Sequence, residues 1–415
     1  MTAKLSWDPE MESPATILVV GGGPVGIEAA LYARFLGYYV SIFETRRVAH
    51  RMLDWHDRPL ALPVSQVTTS LGHAAIAAQN PDYQRPDPER FFTGREYAEE
   101  YLLPLAKTDL LFDDIHFLSP VVDVSRIRTH RRDGVHAQER CNDEFRVVVQ
   151  GQHRGLWIAR GDCILDCRGH AIESIGIGPG GGLAIGEQEI ESEFLRHAPG
   201  DRKYEAKHLA GKRLGLVGED ALACQCVEDW LVHFGADPET RLVWMVRPAE
   251  DSVSERASEL RARIDAMSPR NVLCIQTLGV ESISKNEAGS FRWKLLKEDD
   301  STVELDTDVA MRRTGFRYRS LGPELYCHAD AWVSPNGSVL SGDVETKTEQ
   351  FIHTNQNRLI TAEPGYYALR ASQIDQGAGA GLPQAFEEIR QVFSMIGGRE
   401  DLDLYKIVEQ QSANQ

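Results

Sequence analysis

The feature that most constrains this chain is a short apolar strand running straight into glycines. Residues 16 to 20 read Thr-Ile-Leu-Val-Val, a run of the kind buried on both faces of a parallel sheet. Gly21-Gly22-Gly23-Pro24-Val25-Gly26 follows at once, then a stretch from Ile27 to Gly37 with apolar residues at helical spacing, then a second strand, Tyr39 to Phe43, closed by Glu44. This is a βαβ unit with a job for each glycine: Gly21 permits the tight turn, Gly23 admits a pyrophosphate to backbone N–H groups, and Gly26 lets the helix pack close on the strand. Glu44 sits where a carboxylate accepts hydrogen bonds from a ribose 2′-hydroxyl. Bracketed by strand, helix and a terminal acid, the loop predicts a dinucleotide site.

The same grammar returns nearly 200 residues later. Arg213 to Val217 reads as a strand, Ala221 to Phe234 as a helix and Arg241 to Val246 as a strand, but Gly218, Asp220 and Ala223 now fill the glycine positions. A carboxylate at position 220 about 5 Å from a phosphate would repel it by roughly 3 kcal/mol at an effective dielectric of about 20, of which the helix N-terminus offsets about 1 kcal/mol. Either a nicotinamide nucleotide sits differently here or the unit no longer binds one. Arg247 closes the strand, where an arginine meets a 2′-phosphate and would favour NADPH over NADH; a solvated strand end is the plainer reading.

An intact fingerprint, a degenerate second one and a C-terminal return segment together resemble the two-dinucleotide-binding-domain flavoproteins, the superfamily of pyridine nucleotide-disulfide oxidoreductases and flavin-containing monooxygenases. The resemblance implies an α/β fold with two Rossmann-like, three-layer dinucleotide-binding domains, the second inserted in the first. Residues 1–168 would form the first part of an FAD domain with an insertion around 50–110, residues 169–210 a crossover, 211–315 a degenerate NAD(P)H-like domain, and 316–415 the return. Asp162 to Gly169 looks like the strand that marks the crossover, and Val309 to Gly315 like the one that marks the return. FAD contacts are then expected from Gly21, Gly23, Pro24, Val25, Gly26, Glu44, Thr45, Arg46, Val122, Gly169, Arg370, Gly381 and Leu382, and NADPH contacts, if it binds, from Gly218, Glu219, Asp220 and Arg247. The family's late Gly-Asp pair is replaced here by Arg370-Ala371, while Gly377 to Gly381 followed by Leu382 to Ile396 looks like the loop and helix expected at the flavin. The resemblance also implies small-molecule oxidation, monooxygenase-like with NADPH as reductant. Asp220 motivates an alternative in which the substrate reduces the flavin directly, and Asp220, Arg370 and Ala371 together a non-catalytic scaffold or partner subunit.

Seven cysteines (141, 163, 167, 224, 226, 274 and 327) include no C-x-x-C pair, which counts against dithiol chemistry. Cys163 and Cys167, four residues apart on an extended strand, would be about 13 Å apart, too far to bridge. At 415 residues with 42% hydrophobic and 26% charged, the chain is long enough for more than one core and excludes bulk disorder. A net charge of −17 argues against nucleic acid and anionic membrane surfaces as partners. Asp8, Glu10 and Glu12 are wrong for a signal peptide and no apolar run approaches a membrane span, so a cytoplasmic protein is expected, with a homodimer compatible. No metal is expected, because the histidines show no ligand spacing.

Residues 50 to 72 read as an irregular insertion carrying His50, Trp55, His56, Arg58, Gln66, Thr69 and Ser70, either covering a sheet edge or folding over the flavin with Trp55 and His56 as its catalytic candidates. Thr93 starts a helix through Leu105 bearing an Arg95–Glu99 surface pair. Gly178 to Gly182 reads as a turn or hinge, and Arg126 to Arg132 as a solvated hairpin or loop.

Overall fold

The computed structural model describes residues 11, 13–55, 59–129, 142–152, 154–169, 173–195, 208–248, 255–267, 271–314, 316–317, 331–333, 339–341, 363–369, 379–398 and 402–413. These fall into two compact units: residues 1–170 with 318–415, and residues 171–317.

The first unit is built on β1 (Thr16–Val20), which pairs in parallel with β2 (Tyr39–Phe43) and, further along the chain, with β7 (Cys163–Asp166). Between β1 and β2 runs α1 (Pro24–Phe35), which begins at Pro24 rather than Ile27 because a proline at the first helical position has its φ preset and lacks only an N–H that would be orphaned anyway. α1 is buried over most of its surface. One side rests on the sheet, and Tyr32 stacks on Phe393 of the helix Leu382–Gly397 at 5.1 Å between ring centroids.

The stretch from residue 50 is not irregular. It holds α2 (His50–Trp55), α3 (Val64–Val67), α4 (Ser70–Gln79), and α5 (Gly94–Glu96) continuing through a π-helical stretch, Tyr97–Leu102, into α6 (Leu103–Ala106). Val64 and Val67 of α3 and Leu71 of α4 are all buried, with extended Thr68 and Thr69 between the two helices. Thr93 caps α5 in a reciprocal capping box with Glu96, and Arg95 lies 3.9 Å from Glu99.

β3 (Ile115–His116) continues the parallel sheet beyond β2. β4 (Val121–Arg126), β5 (Phe145–Gly151) and β6 (Gly155–Gly161) form an antiparallel meander. Leu18, Val20, Phe43, Val147 and Ile164 fill the space between meander and parallel sheet, while α1 and its helical neighbours cover the other face, giving three layers. Arg126 is a correction to the solvated loop expected there. It ends β4 pointing inward, its Nε 2.7 Å from Glu363 Oε1, its other nitrogens donating to the carbonyls of Asp143 and Pro364, and its guanidinium 3.6 Å from the Phe145 ring centroid. The pair is 1% and 0% exposed, and a charge so deep persists because each guanidinium nitrogen has an acceptor.

In the second unit β8 (Glu173–Ser174) pairs with β16 (Phe316–Arg317). Its central sheet is β9 (Arg213–Val217), β10 (Arg241–Val246), β11 (Val272–Gln276) and β15 (Val309–Arg312), all parallel in the order β11-β10-β9-β15. α7 (Ala221–Phe234) and α8 (Glu255–Met267) cover one face, and an antiparallel sheet of β12 (Gly279–Lys285), β13 (Phe291–Leu296) and β14 (Thr302–Thr307) covers the other. The segment expected as a crossover packs here too: Ile177, Ala184, Ile190 and Phe194 join the core beneath β12 and β13. Gly178 to Gly182 forms a tight turn within it.

The chain then returns to the first unit. β17 (Ala331–Val333) pairs with β18 (Val339–Ser341), and β19 (Tyr366–Ala368) joins the edge of β7 in parallel, completing a five-stranded sheet in the order β19-β7-β1-β2-β3. α9 (Leu382–Gly397) and α10 (Leu404–Ala413) close the helical layer.

Candidate functional site

The glycine loop of the first unit has the geometry its sequence requires. Gly21 takes φ +107° and its missing Cβ would lie 2.9 Å from the Cys167 carbonyl oxygen; at Gly26 a Cβ would fall 1.8 Å from the Gly21 oxygen. Any side chain at 26 would force α1 off the strand. Gly23, the N-cap of α1, is different. Its φ of −82° and ψ of −174° suit any residue, no side chain caps the helix there, and a Cβ would meet nothing within 4 Å. Open space therefore adjoins the positive end of α1 at the residue where a pyrophosphate would approach.

Glu44 leaves β2 beside this loop, accepting hydrogen bonds from Gly22 N at 2.7 Å and Arg46 N at 2.8 Å. A carboxylate has about four lone-pair sites. Two remain for a ribose. Thr45 and Arg46 are exposed next to it, and Arg46 contacts His50 of α2. Val122 stands 52% exposed on β4, at the bulge where the register against β5 shifts. Gly169 takes φ +71° just past β7. Gly381 is the N-cap of α9 and carries no side-chain cap, with Leu382 buried behind it. Arg370, Ala371, Gly377 and His56 lie outside the described residues, as does the side chain of Trp55, the last residue of α2. Of the other residues singled out in the insertion, Thr69 caps α4 and donates to Glu28, Ser70 donates to the Tyr405 carbonyl, and Gln66 is exposed.

Two clusters were not singled out from sequence. At the C-terminal ends of β7 and β19, Asp166 is held by Arg168 (2.8 and 2.7 Å) and by the Tyr366 hydroxyl (2.8 Å), immediately behind Gly21. That is the edge of a parallel sheet where ligands bind. Behind α1, Glu28 is buried and accepts from Thr69 Oγ1 at 2.6 Å and the Tyr101 hydroxyl at 3.2 Å. Burial pushes its pKa up to about 7, against those hydrogen bonds. The neighbouring His73, bonded to Thr68 and Tyr83, is pushed down to about 4 by burial. A lone Glu inside an apolar helix was the available signal for the second cluster.

The repeat in the second unit keeps the backbone and changes the chemistry. Gly218 takes φ +133° and packs against the Arg313 carbonyl as Gly21 packs against that of Cys167. Asp220 is the N-cap of α7, with φ −69° and ψ 174°, and its Oδ1 accepts from Ala223 N at 2.7 Å. Arg247 is ion-paired with Glu219, its Nε 2.6 Å from Oε1. Asp220 thus caps its own helix, and Arg247, read from sequence as either a 2′-phosphate contact or a solvated strand end, pairs with Glu219.

All five cysteines within the described residues are free thiols, and Cys163, Cys167, Cys224 and Cys226 are buried. Burial raises Cys167, and lifts Cys224 and Cys274 to about 11. Among the described residues no group of three or more His, Cys, Asp or Glu side chains is assembled that would hold a metal, and no helix is long and apolar enough to cross a membrane.

No family model and no curated protein matches the sequence. Solved structures do. A cadaverine monooxygenase of Erwinia amylovora, bound to FAD, aligns with TM-score 0.57 at 13% identity over 94% of this chain and 95% of that one. The ornithine N-hydroxylase of Kutzneria sp. 744, with reduced FAD, NADP+ and L-ornithine, aligns with TM-score 0.54 at 13% identity over 94% of this chain and 100% of that one. A bacillithiol disulfide reductase of Bacillus cereus aligns with TM-score 0.56 at 11% identity over 93% of this chain and 100% of that one. The likeness is one of fold, and it runs through both units.

Proposed function

We propose that this chain, which has the two-dinucleotide-binding-domain fold, is an FAD-dependent oxidoreductase acting on a small molecule. The observation that carries the reading is the uncapped, open N-terminus of α1 at Gly23, beside a Glu44 carboxylate with acceptor capacity to spare. The N–H groups of the first turn of α1 would hold the FAD pyrophosphate and Glu44 its ribose, with Arg46, Val122, Gly169 and the N-terminus of α9 at Gly381 around it. Bound there, the flavin supplies two-electron redox chemistry, and the protein supplies orientation and electrostatics. Asp166, clamped by Arg168 and Tyr366, fixes the backbone behind Gly21 and so the seat of the phosphates.

Oxidation of a small molecule is favoured over disulfide reduction. Among the described residues the four buried thiols are held protonated or out of reach, whereas a disulfide relay needs accessible thiolates. Monooxygenase-type oxidation with NADPH is the version suggested by the names of two of the similar structures, which act on an amine and an amino acid. A second reading, in which the substrate reduces the flavin directly, is favoured by Asp220.

The absorption spectrum of the purified protein tests the proposal. Bound FAD in near-stoichiometric amount is the expected result; a colourless protein that takes up no added FAD would refute it. Anaerobic addition of NADPH then separates the two versions.

A further inference from the structure

We infer that the second unit is closed to a dinucleotide: Asp220 is a built-in anion seated where the pyrophosphate of NAD(P)H would need the first turn of α7, and the Glu219–Arg247 pair holds the place of its ribose. The inference rests on the flavoprotein reading above and narrows it, since it removes the second unit as the port through which a nicotinamide nucleotide would deliver reducing equivalents.

The two loops coincide in backbone. Gly21 and Gly218 both take left-handed φ, +107° and +133°, and both donate their N–H to a carbonyl near the end of the next strand, Phe43 and Met245, at 2.8 and 3.2 Å. The N-caps Gly23 and Asp220 share extended backbone, with φ −82° and −69° and ψ −174° and 174°. The main differences are therefore in the side chains. In the first unit the N-cap position is empty beyond the backbone. In the second it carries a carboxylate whose Oδ1 takes the Ala223 N–H, one of the few donors a phosphate would use.

The strand ends differ in the same sense. Glu44 contacts backbone N–H groups and keeps acceptor sites for hydroxyls, whereas Arg247 spends its guanidinium on Glu219. A pyrophosphate bearing two negative charges would have to displace the Asp220 cap from the Ala223 N–H and break the Glu219–Arg247 pair. The Trp244 indole also donates to the Gly218 carbonyl at 2.8 Å, fixing the loop in this arrangement.

The test is a titration of the FAD-loaded protein with NADP+ and, separately, NAD+, followed by calorimetry or protein fluorescence. The native protein is expected to show no saturable binding at millimolar nucleotide. Asp220→Ser keeps a neutral N-cap oxygen and therefore the helix. Combined with Glu219→Gln, which also frees Arg247, it is expected to tighten NADP+ binding by at least about a hundredfold, the factor for removing the Asp220 charge alone at about 5 Å from a phosphate. Saturation of the native protein at micromolar nucleotide would overturn the inference, as would a double variant no better than native. Nucleotide binding to a protein that holds its flavin defeats this inference alone, while failure to hold FAD defeats the reading beneath it.

Discussion

Gly23→Asp transplants the cap of the second unit into the first. Backbone at 23 matches that at 220, and a Cβ meets nothing within 4 Å, so the new carboxylate is expected to reach Gly26 N as Asp220 reaches Ala223 N at 2.7 Å. Two effects of opposite sign follow. The apoprotein gains between a few tenths and about 1 kcal/mol from a better cap and a negative charge at a helix N-terminus. FAD loses roughly 3 kcal/mol to repulsion at about 5 Å and an effective dielectric of about 20, and a further 1.5 kcal/mol or so from the charge-assisted donor now occupied. The sum, about 4.5 kcal/mol, is a loss of roughly three orders of magnitude in affinity. Gly23→Ser, which caps without charge, should forfeit only the donor and weaken FAD about tenfold. The assay is FAD retained after gel filtration and its dissociation constant by flavin fluorescence, alongside thermal unfolding of the apoprotein. An Asp variant that keeps its FAD as tightly as native, with α1 intact, would refute the placement of the pyrophosphate at this helix and the argument about Asp220 with it.

Glu28 and His73 predict compensating pH dependence. Burial raises Glu28 from 4.5 to about 7, so its contribution to stability grows as pH falls through that window, while His73, lowered from 6.5 to about 4, makes stability fall as pH drops from 6.5. Glu28→Gln should therefore be more stable than native by up to about 3 kcal/mol above pH 7, an advantage that fades to nothing by about pH 4.5; urea unfolding across pH that shows a constant difference would contradict this. Arg126→Ala, which strands the Glu363 carboxylate in the core, should cost about 3 to 5 kcal/mol, and Arg126→Met with Glu363→Gln distinctly less, as read from denaturant midpoints. Gly26→Ala should abolish FAD retention, because its Cβ would fall 1.8 Å from the Gly21 oxygen. Thiol labelling of the folded protein should spare Cys163, Cys167, Cys224 and Cys226 until denaturant is added, and mass spectrometry showing early modification of any of them would count against their burial.

The sequence disclosed most where local and tertiary demands coincide. β1, the glycine loop and β2 are legible because a parallel strand, a left-handed turn and a helix N-terminus each restrict residue type within a window of about thirty residues. The insertion was misread as irregular because its helices are short and broken at Pro63 and at extended Thr68 and Thr69, so no long periodic run marks them and only tertiary burial of Val64, Val67 and Leu71 makes them decisive. Arg126 was misread for a different reason: its partner Glu363 lies 237 residues away, and nothing local marks a charge as destined for the interior. At Asp220 the charge was legible but its use was not, since an acid in a fingerprint and an acid capping a helix are the same letter.

The return strand has a consequence for the order in which the protein comes into being. Tyr366, on β19, pairs beside β7 and reaches Asp166 from 200 residues further along the chain, and Phe386, Ile389 and Phe393 of α9 complete the core over α1. At synthesis rates of about 5 to 20 residues per second, β7 waits roughly 10 to 40 seconds for the strand that finishes its sheet, while the contiguous second unit is already whole. The early half thus spends that interval with β7 as a bare edge and α1 half covered. A nascent chain stalled before residue 366 should be recognised by chaperones and hold no flavin, although every residue of its glycine fingerprint has been made.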